Sequence, residues 1–137
     1  MMKLKLIAIS SLLALIFLPG LALAKEHGFV MSIMNVIPQE QMYKVEMQRI
    51  DDKNPMPAEE YYVAAGEHSF RVSLVPDPTW SPKLMYANHE ISAREITITI
   101  EDKTTYQIGG KVDPDASEEA QRNGTFWEPV IYKTLKR

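Results

Sequence analysis

The chain has 137 residues, 45% hydrophobic and 24% charged, with no cysteine and a net charge of −3 at pH 7. Without cysteine there are no disulfide staples, and no thiol to carry the lipid of a lipoprotein. No block of five or more basic residues occurs, so nucleic acid and anionic membrane surfaces have no electrostatic counterpart in this sequence.

The N-terminus reads as an export signal. Met1–Lys5 carries two lysines and no acid, and Leu6–Leu18 is apolar or small throughout apart from Ser10 and Ser11. Pro19-Gly20 then breaks any helix, and Ala22-Leu23-Ala24 places small residues three and one positions before a cut ahead of Lys25. A charged start, an apolar stretch of about 7–15 residues and an A-x-A site define a secretory signal peptide. The alternative is an uncleaved anchor, since Leu4–Ala24 approaches the roughly 20 apolar residues of a membrane span. The Pro-Gly pair favours the cleaved form. Residues 1–24 are therefore expected to be a signal and 25–137 the working domain, periplasmic or secreted and not stably inserted in a membrane after cleavage. Losing Lys3 and Lys5 leaves 13 basic against 18 acidic side chains, a net charge of −5. A domain of about 113 residues buries roughly two-thirds of its unfolded surface, enough for one core.

Along the rest of the chain the hydrophobic period is two. Phe29 to Ile37 is the first strand-like run, followed by Tyr43, Val45 and Met47 alternating with Lys44, Glu46 and Gln48. Asp51-Asp52-Lys53-Asn54-Pro55 predicts a reversal, and Glu60 to Ala64 a third strand. Ala65-Gly66-Glu67 predicts a turn, with Gly66 free to take positive φ. His68 to Leu74 alternates cleanly, as does Arg94 to Glu101, with Ile96, Ile98 and Ile100 on one face. Glu101–Thr104 is expected to join this fifth strand to the sixth, Thr105 to Val112, as a hairpin. Ala116 to Arg122 predicts one or two helical turns stopped by Asn123-Gly124, and Phe126 to Lys133 the last strand. Seven short runs separated by turn residues predict an all-β fold: a single antiparallel β-sandwich, immunoglobulin-like or transthyretin-like, or a partly open barrel. Its first and last strands are expected as open edges able to accept a partner strand.

Pro76 to Ser92 is a long connection with three prolines and Trp80. Connections of this length are often functional, but Trp80 folding back over an open end of the sandwich is the simpler expectation.

Val45-x-Met47-x-x-Ile50-Asp51-Asp52-Lys53, followed by Tyr62-Val63-Ala64-Ala65-Gly66-Glu67-His68-Ser69-Phe70-Arg71-Val72, resembles the PEGA-type β-modules of bacterial envelope proteins. Those read as a strand ending in Ile-Asp-Gly, a variable stretch, and Pro-Gly-x-His before an alternating strand. Asp52 stands here where the first glycine is usual, and Ala65 replaces the proline. Ile96 to Ile108 looks like the hairpin of small periplasmic proteins of similar layout, and Trp127 to Ile131 like their closing strand. The resemblance covers about half of residues 25–137. It implies a fold, a compartment and a non-catalytic binding or scaffolding role, and carries no catalytic residue.

Candidate chemistry is sparse. His68 falls on the face of Phe70, Val72 and Leu74, where a histidine is most often a packed, hydrogen-bonded residue, and no nucleophile sits at a spacing that recommends pairing with it. His27, Met31, Met34, Met42 and Met47 offer ligands suited to Cu(I), although methionine is more often a core filler. Asp113, Asp115, Glu118 and Glu119 lack the glycine and glutamate positions of an EF-hand and read as a solvated loop. Asn123-Gly124-Thr125 matches a glycosylation sequon, which matters only in a eukaryotic secretory pathway. Tyr61 and Tyr62 are adjacent in a strand, as are Phe126 and Trp127, so one of each pair should point outward. An outward aromatic near Trp80 would make a platform for a sugar or peptide. The expected function is a non-enzymatic envelope module, without cofactor, that contacts another protein or peptide. A carbohydrate binder using Trp80, Tyr62, Trp127 and His68 is the alternative, and a periplasmic copper binder the third.

Overall fold

A computed structural model describes residues 26–87 and 93–137. The expected signal sequence, 1–24, lies outside the described residues, as do residues 88–92 of the long connection. The described chain is mostly strand: β1 (His27–Ser32), β2 (Met42–Tyr43), β3 (Val45–Ile50), β4 (Tyr61–Ala64), β5 (Gly66–Leu74), β6 (Arg94–Ile100), β7 (Thr104–Val112) and β8 (Trp127–Lys136), with one short helix α1 (Glu118–Asn123). The all-β expectation holds. Five strands make one sheet, in which β8 flanks β7 on one side, β1 and β2 pair along its other side, and β4 lies outside β1. The other sheet has the order β3-β5-β6.

Both sheets contribute to one core. Val30, Tyr43, Ile108 and Trp127 of the larger sheet share a buried cluster with Phe70, Val72, Leu74, Ile98 and Ile100 of the smaller. In β5 and β6 the inward residues are the alternate ones the period of two marks out, because successive side chains on a strand point to opposite faces.

Several expectations are corrected. Tyr43 to Met47 is not one strand: the chain changes sheets at Lys44, with Met42 and Tyr43 opposite Lys111 and Gly110, and Val45 opposite Leu74. Tyr43 and Val45 are both buried, so alternation continues across the switch and hides it. The pairing is not all antiparallel, since β1 runs parallel to β7 from Phe29↔Thr105 to Ser32↔Ile108. β1 is therefore interior rather than an edge, whereas β8 is outermost. Finally, Glu101–Thr104 closes no hairpin, because β6 and β7 belong to different sheets. The chain arches between layers there, with Lys103 at φ 55°. The same is true at Ala65: β4 and β5 lie in different sheets, and Gly66 turns the corner at φ 123°, in the left-handed region that glycine tolerates.

The helix behaves as expected. Ser117 caps it, its Oγ accepting from the Ala120 N–H at 3.1 Å, and Gly124 ends it at φ 81°. Trp80 does fold back over one end of the layers, edge-on to Tyr43 (centroids 6.2 Å apart) and to Phe126 (5.8 Å). Phe126 and Trp127 are both buried, at 1% and 2% exposure, against the expectation that one would face outward. β8 begins at Trp127, so Phe126 is free of strand alternation and turns beneath Trp80.

Candidate functional site

The strand lengths leave one flank of the layers open. β4 has four residues and covers β1 only from His27 to Val30. Beyond that point Met31–Met34 have no β4 partner, and across the gap β3 is the outer strand of its own sheet. Between them lies a cleft of 520 Å³. Ser32 and Met34 line one side and Val45 and Met47 the other, with Tyr61 of β4 and with Pro55 and Pro57 from the connection between β3 and β4 beside them. Val72 and Ile108 reach it from the core, and Lys44, Glu46 and Glu59 supply its charges. Met34 is 66% exposed, and a thioether side chain adapts its shape to what it meets.

Three hydrogen bonds fix the walls. The Val45 N–H donates to Ser32 Oγ at 3.0 Å, stitching one sheet to the other, and the hydroxyl of Ser32 donates to the Ile33 carbonyl at 3.2 Å. The Ala58 N–H donates to the Tyr61 phenol oxygen at 3.1 Å, folding the proline-bearing connection onto β4. A register shift between Met47 and Arg49 bulges β3. Bulged, with its first N–H already taken, β3 is a blunted edge. The cleft is shaped to receive side chains rather than to extend the sheet.

The residues singled out from sequence do not converge. Tyr62 points outward, 63% exposed, and its ring lies 3.8 Å from that of His27, with Phe29 edge-on beside it. Trp127 is in the core and Trp80 covers the end of the layers. His68 lies at the corner between β4 and β5. Of the methionines, Met34 and Met47 line the cleft, Met42 is buried, and His27 stands on the outer face of the larger sheet. Met31 and Met34 are three apart but not in one strand, because β1 ends at Ser32. Among the described residues no group of three or more His, Asp or Glu converges as metal ligands would. The acidic loop is tied to bases, Asp115 to Lys83 at 3.0 Å and Glu118 to Arg122 at 2.9 Å.

The His68 corner is the most polar local arrangement. The Asp51 carboxylate accepts from the Ser69 N–H at 3.0 Å and meets His68 Nδ1 at 2.7 Å, and His68 Nε2 meets the Ala64 carbonyl oxygen at 2.8 Å. The imidazole hydrogen bond, then the Ser69 amide, hold the Asp51 carboxyl below its ordinary value of 3.8. Asp77 is held low in the same way by the hydroxyl and amide of Thr79.

The cleft was not foreseen from sequence, since its residues come from strands in different sheets. The one local signal was the Pro55-x-Pro57 pair ahead of Tyr61-Tyr62, a stiff connection leading into an aromatic. No family model, curated protein or solved structure matches the chain. Among the described residues no helix is long and apolar enough to cross a membrane.

Proposed function

We propose that the protein is an exported, non-enzymatic β-sandwich of the bacterial envelope that receives apolar side chains of a partner protein or peptide in the cleft between its sheets. The observation that carries this reading is the uncovered flank, where Met34, Val45, Met47 and Tyr61 surround 520 Å³ of space. Pockets that are mainly apolar, with a few polar groups at the rim, are the usual form of a binding site. The Tyr106 hydroxyl bonds back to the backbone of Thr99 and Glu101 in the manner of the tyrosine corner, which favours the immunoglobulin-like variant over the transthyretin-like one. The likeness to PEGA-type modules and the N-terminal export pattern point to the same compartment and role.

Linear-peptide display against residues 25–137 tests the reading. Selected peptides should carry apolar side chains, shift the methyl resonances of Met34 and Met47, and lose binding to a folded Met47→Glu variant. Peptides that bind without touching those methyls, or that ignore the substitution, would refute it. A second reading, saccharide stacking, is favoured by the 63% exposure of Tyr62 over His27. It predicts that Tyr62→Ala abolishes binding of envelope oligosaccharides while Met47→Glu leaves it intact.

A further inference from the structure

His68 faces two acceptors at once. Asp51 Oδ2 lies 2.7 Å from Nδ1 and the Ala64 carbonyl oxygen 2.8 Å from Nε2. A backbone carbonyl has no proton to give, and a carboxylate held below its ordinary value is ionised and accepts only. A neutral imidazole has one N–H and can satisfy one of the two. The imidazolium has two and satisfies both. We propose that His68 works in its doubly protonated form as a clamp holding both ends of the segment 51–64 against β5, and that loss of one proton gives up the bond to Ala64, leaving that end to its pairing with β1. The proton on Nδ1 stays, because the charge-assisted bond to the carboxylate is the stronger. The lone pair then exposed on Nε2 faces the lone pairs of the Ala64 oxygen.

Few charges surround the ring. Asp51 is the ionised partner, and Lys53 acts on it from the same turn. β6 brings Ile98 into register opposite His68, and along β5 the neighbour on the same face is Phe70, its ring centroid 6.3 Å away. The clamped segment carries Pro55, Pro57 and Tyr61 of the cleft, so releasing it loosens that wall. This consequence for binding rests on the reading of the cleft given above, whereas the clamp does not.

Nitrogen-15 spectra of the histidine rings in the folded chain test the clamp directly, with His68→Gln assigning the signal. At pH 6 both His68 nitrogens should show protonated shifts. As the pH rises, Nε2 should lose its proton while amide exchange over residues 61–65, corrected for the intrinsic rate, accelerates about tenfold or more, the worth of one charge-assisted bond. In His68→Gln, whose amide supplies two N–H groups, that acceleration should vanish. An unprotonated Nε2 at pH 6, or the same acceleration in His68→Gln, overturns the proposal. Should the variant fail to fold, the ring spectrum of the native chain still decides. With the clamp observed, peptide affinity that does not move with pH counts against the cleft alone.

Discussion

The phenol of Tyr106 donates to the carbonyl oxygen of Thr99 at 3.2 Å and accepts from the Glu101 N–H at 2.9 Å. These bonds cross the arch between β6 and β7, where the chain leaves one sheet for the other. Tyr106 is only 6% exposed, so water cannot replace what its hydroxyl supplies. Tyr106→Phe should cost about 1–3 kcal/mol, the penalty for leaving buried polar groups unsatisfied. Urea unfolding checks this as a lowered midpoint at unchanged slope. A loss below about 0.5 kcal/mol would mean that the arch is held by packing.

Gln121 plays a comparable part at the long connection between β5 and β6. It is 2% exposed, donates from Nε2 to the Lys83 and Ala116 carbonyls at 2.9 and 3.0 Å, and accepts from the Tyr86 N–H at 2.9 Å. One side chain thus fastens the Trp80-bearing connection to α1. Gln121→Leu keeps the volume and removes the bonds, and should cost about 2–3 kcal/mol. Trp80 should emit at longer wavelength as its cover loosens, while Trp127 stays shielded in the core. Unchanged emission together with unchanged stability would contradict this account.

Asp51 sets an acid limit. Its carboxyl is held below 3.8 by His68 and then by the Ser69 amide, so the unfolded chain takes up this proton more readily than the folded one. Its contribution is therefore complete above pH ~4 and lost as pH falls through the lower folded value. Asp51→Asn should flatten the stability profile below pH 4 relative to the native chain. Thermal unfolding from pH 5 to pH 2 reads the difference, and parallel profiles would rule the effect out.

Much of the fold was legible in the sequence where the cause is local. Alternation in His68–Leu74 and Arg94–Glu101 marked β5 and β6 to within a residue or two, because the pleat forces neighbouring side chains to opposite faces. Gly124 marked the end of α1, since a left-handed backbone conformation closes a helix. The candidate site was hardly legible. His68 finds Asp51 seventeen residues away and Ala64 four away, and no spacing rule anticipates that pair.

The sequence by itself determined the inward faces of β5 and β6 and the place of the helix ahead of Gly124. Alternation reports inside from outside and nothing about which sheet a strand joins. That assignment depends on long-range pairing, so only the tertiary structure decided that the chain switches sheets at Lys44, that Ala65 and Lys103 are corners between layers, and that β1 runs parallel beside β7. The cleft follows from the same choice. Met34 and Met47 become neighbours across a gap because β4 is too short to cover β1 and β3 has no strand beyond it.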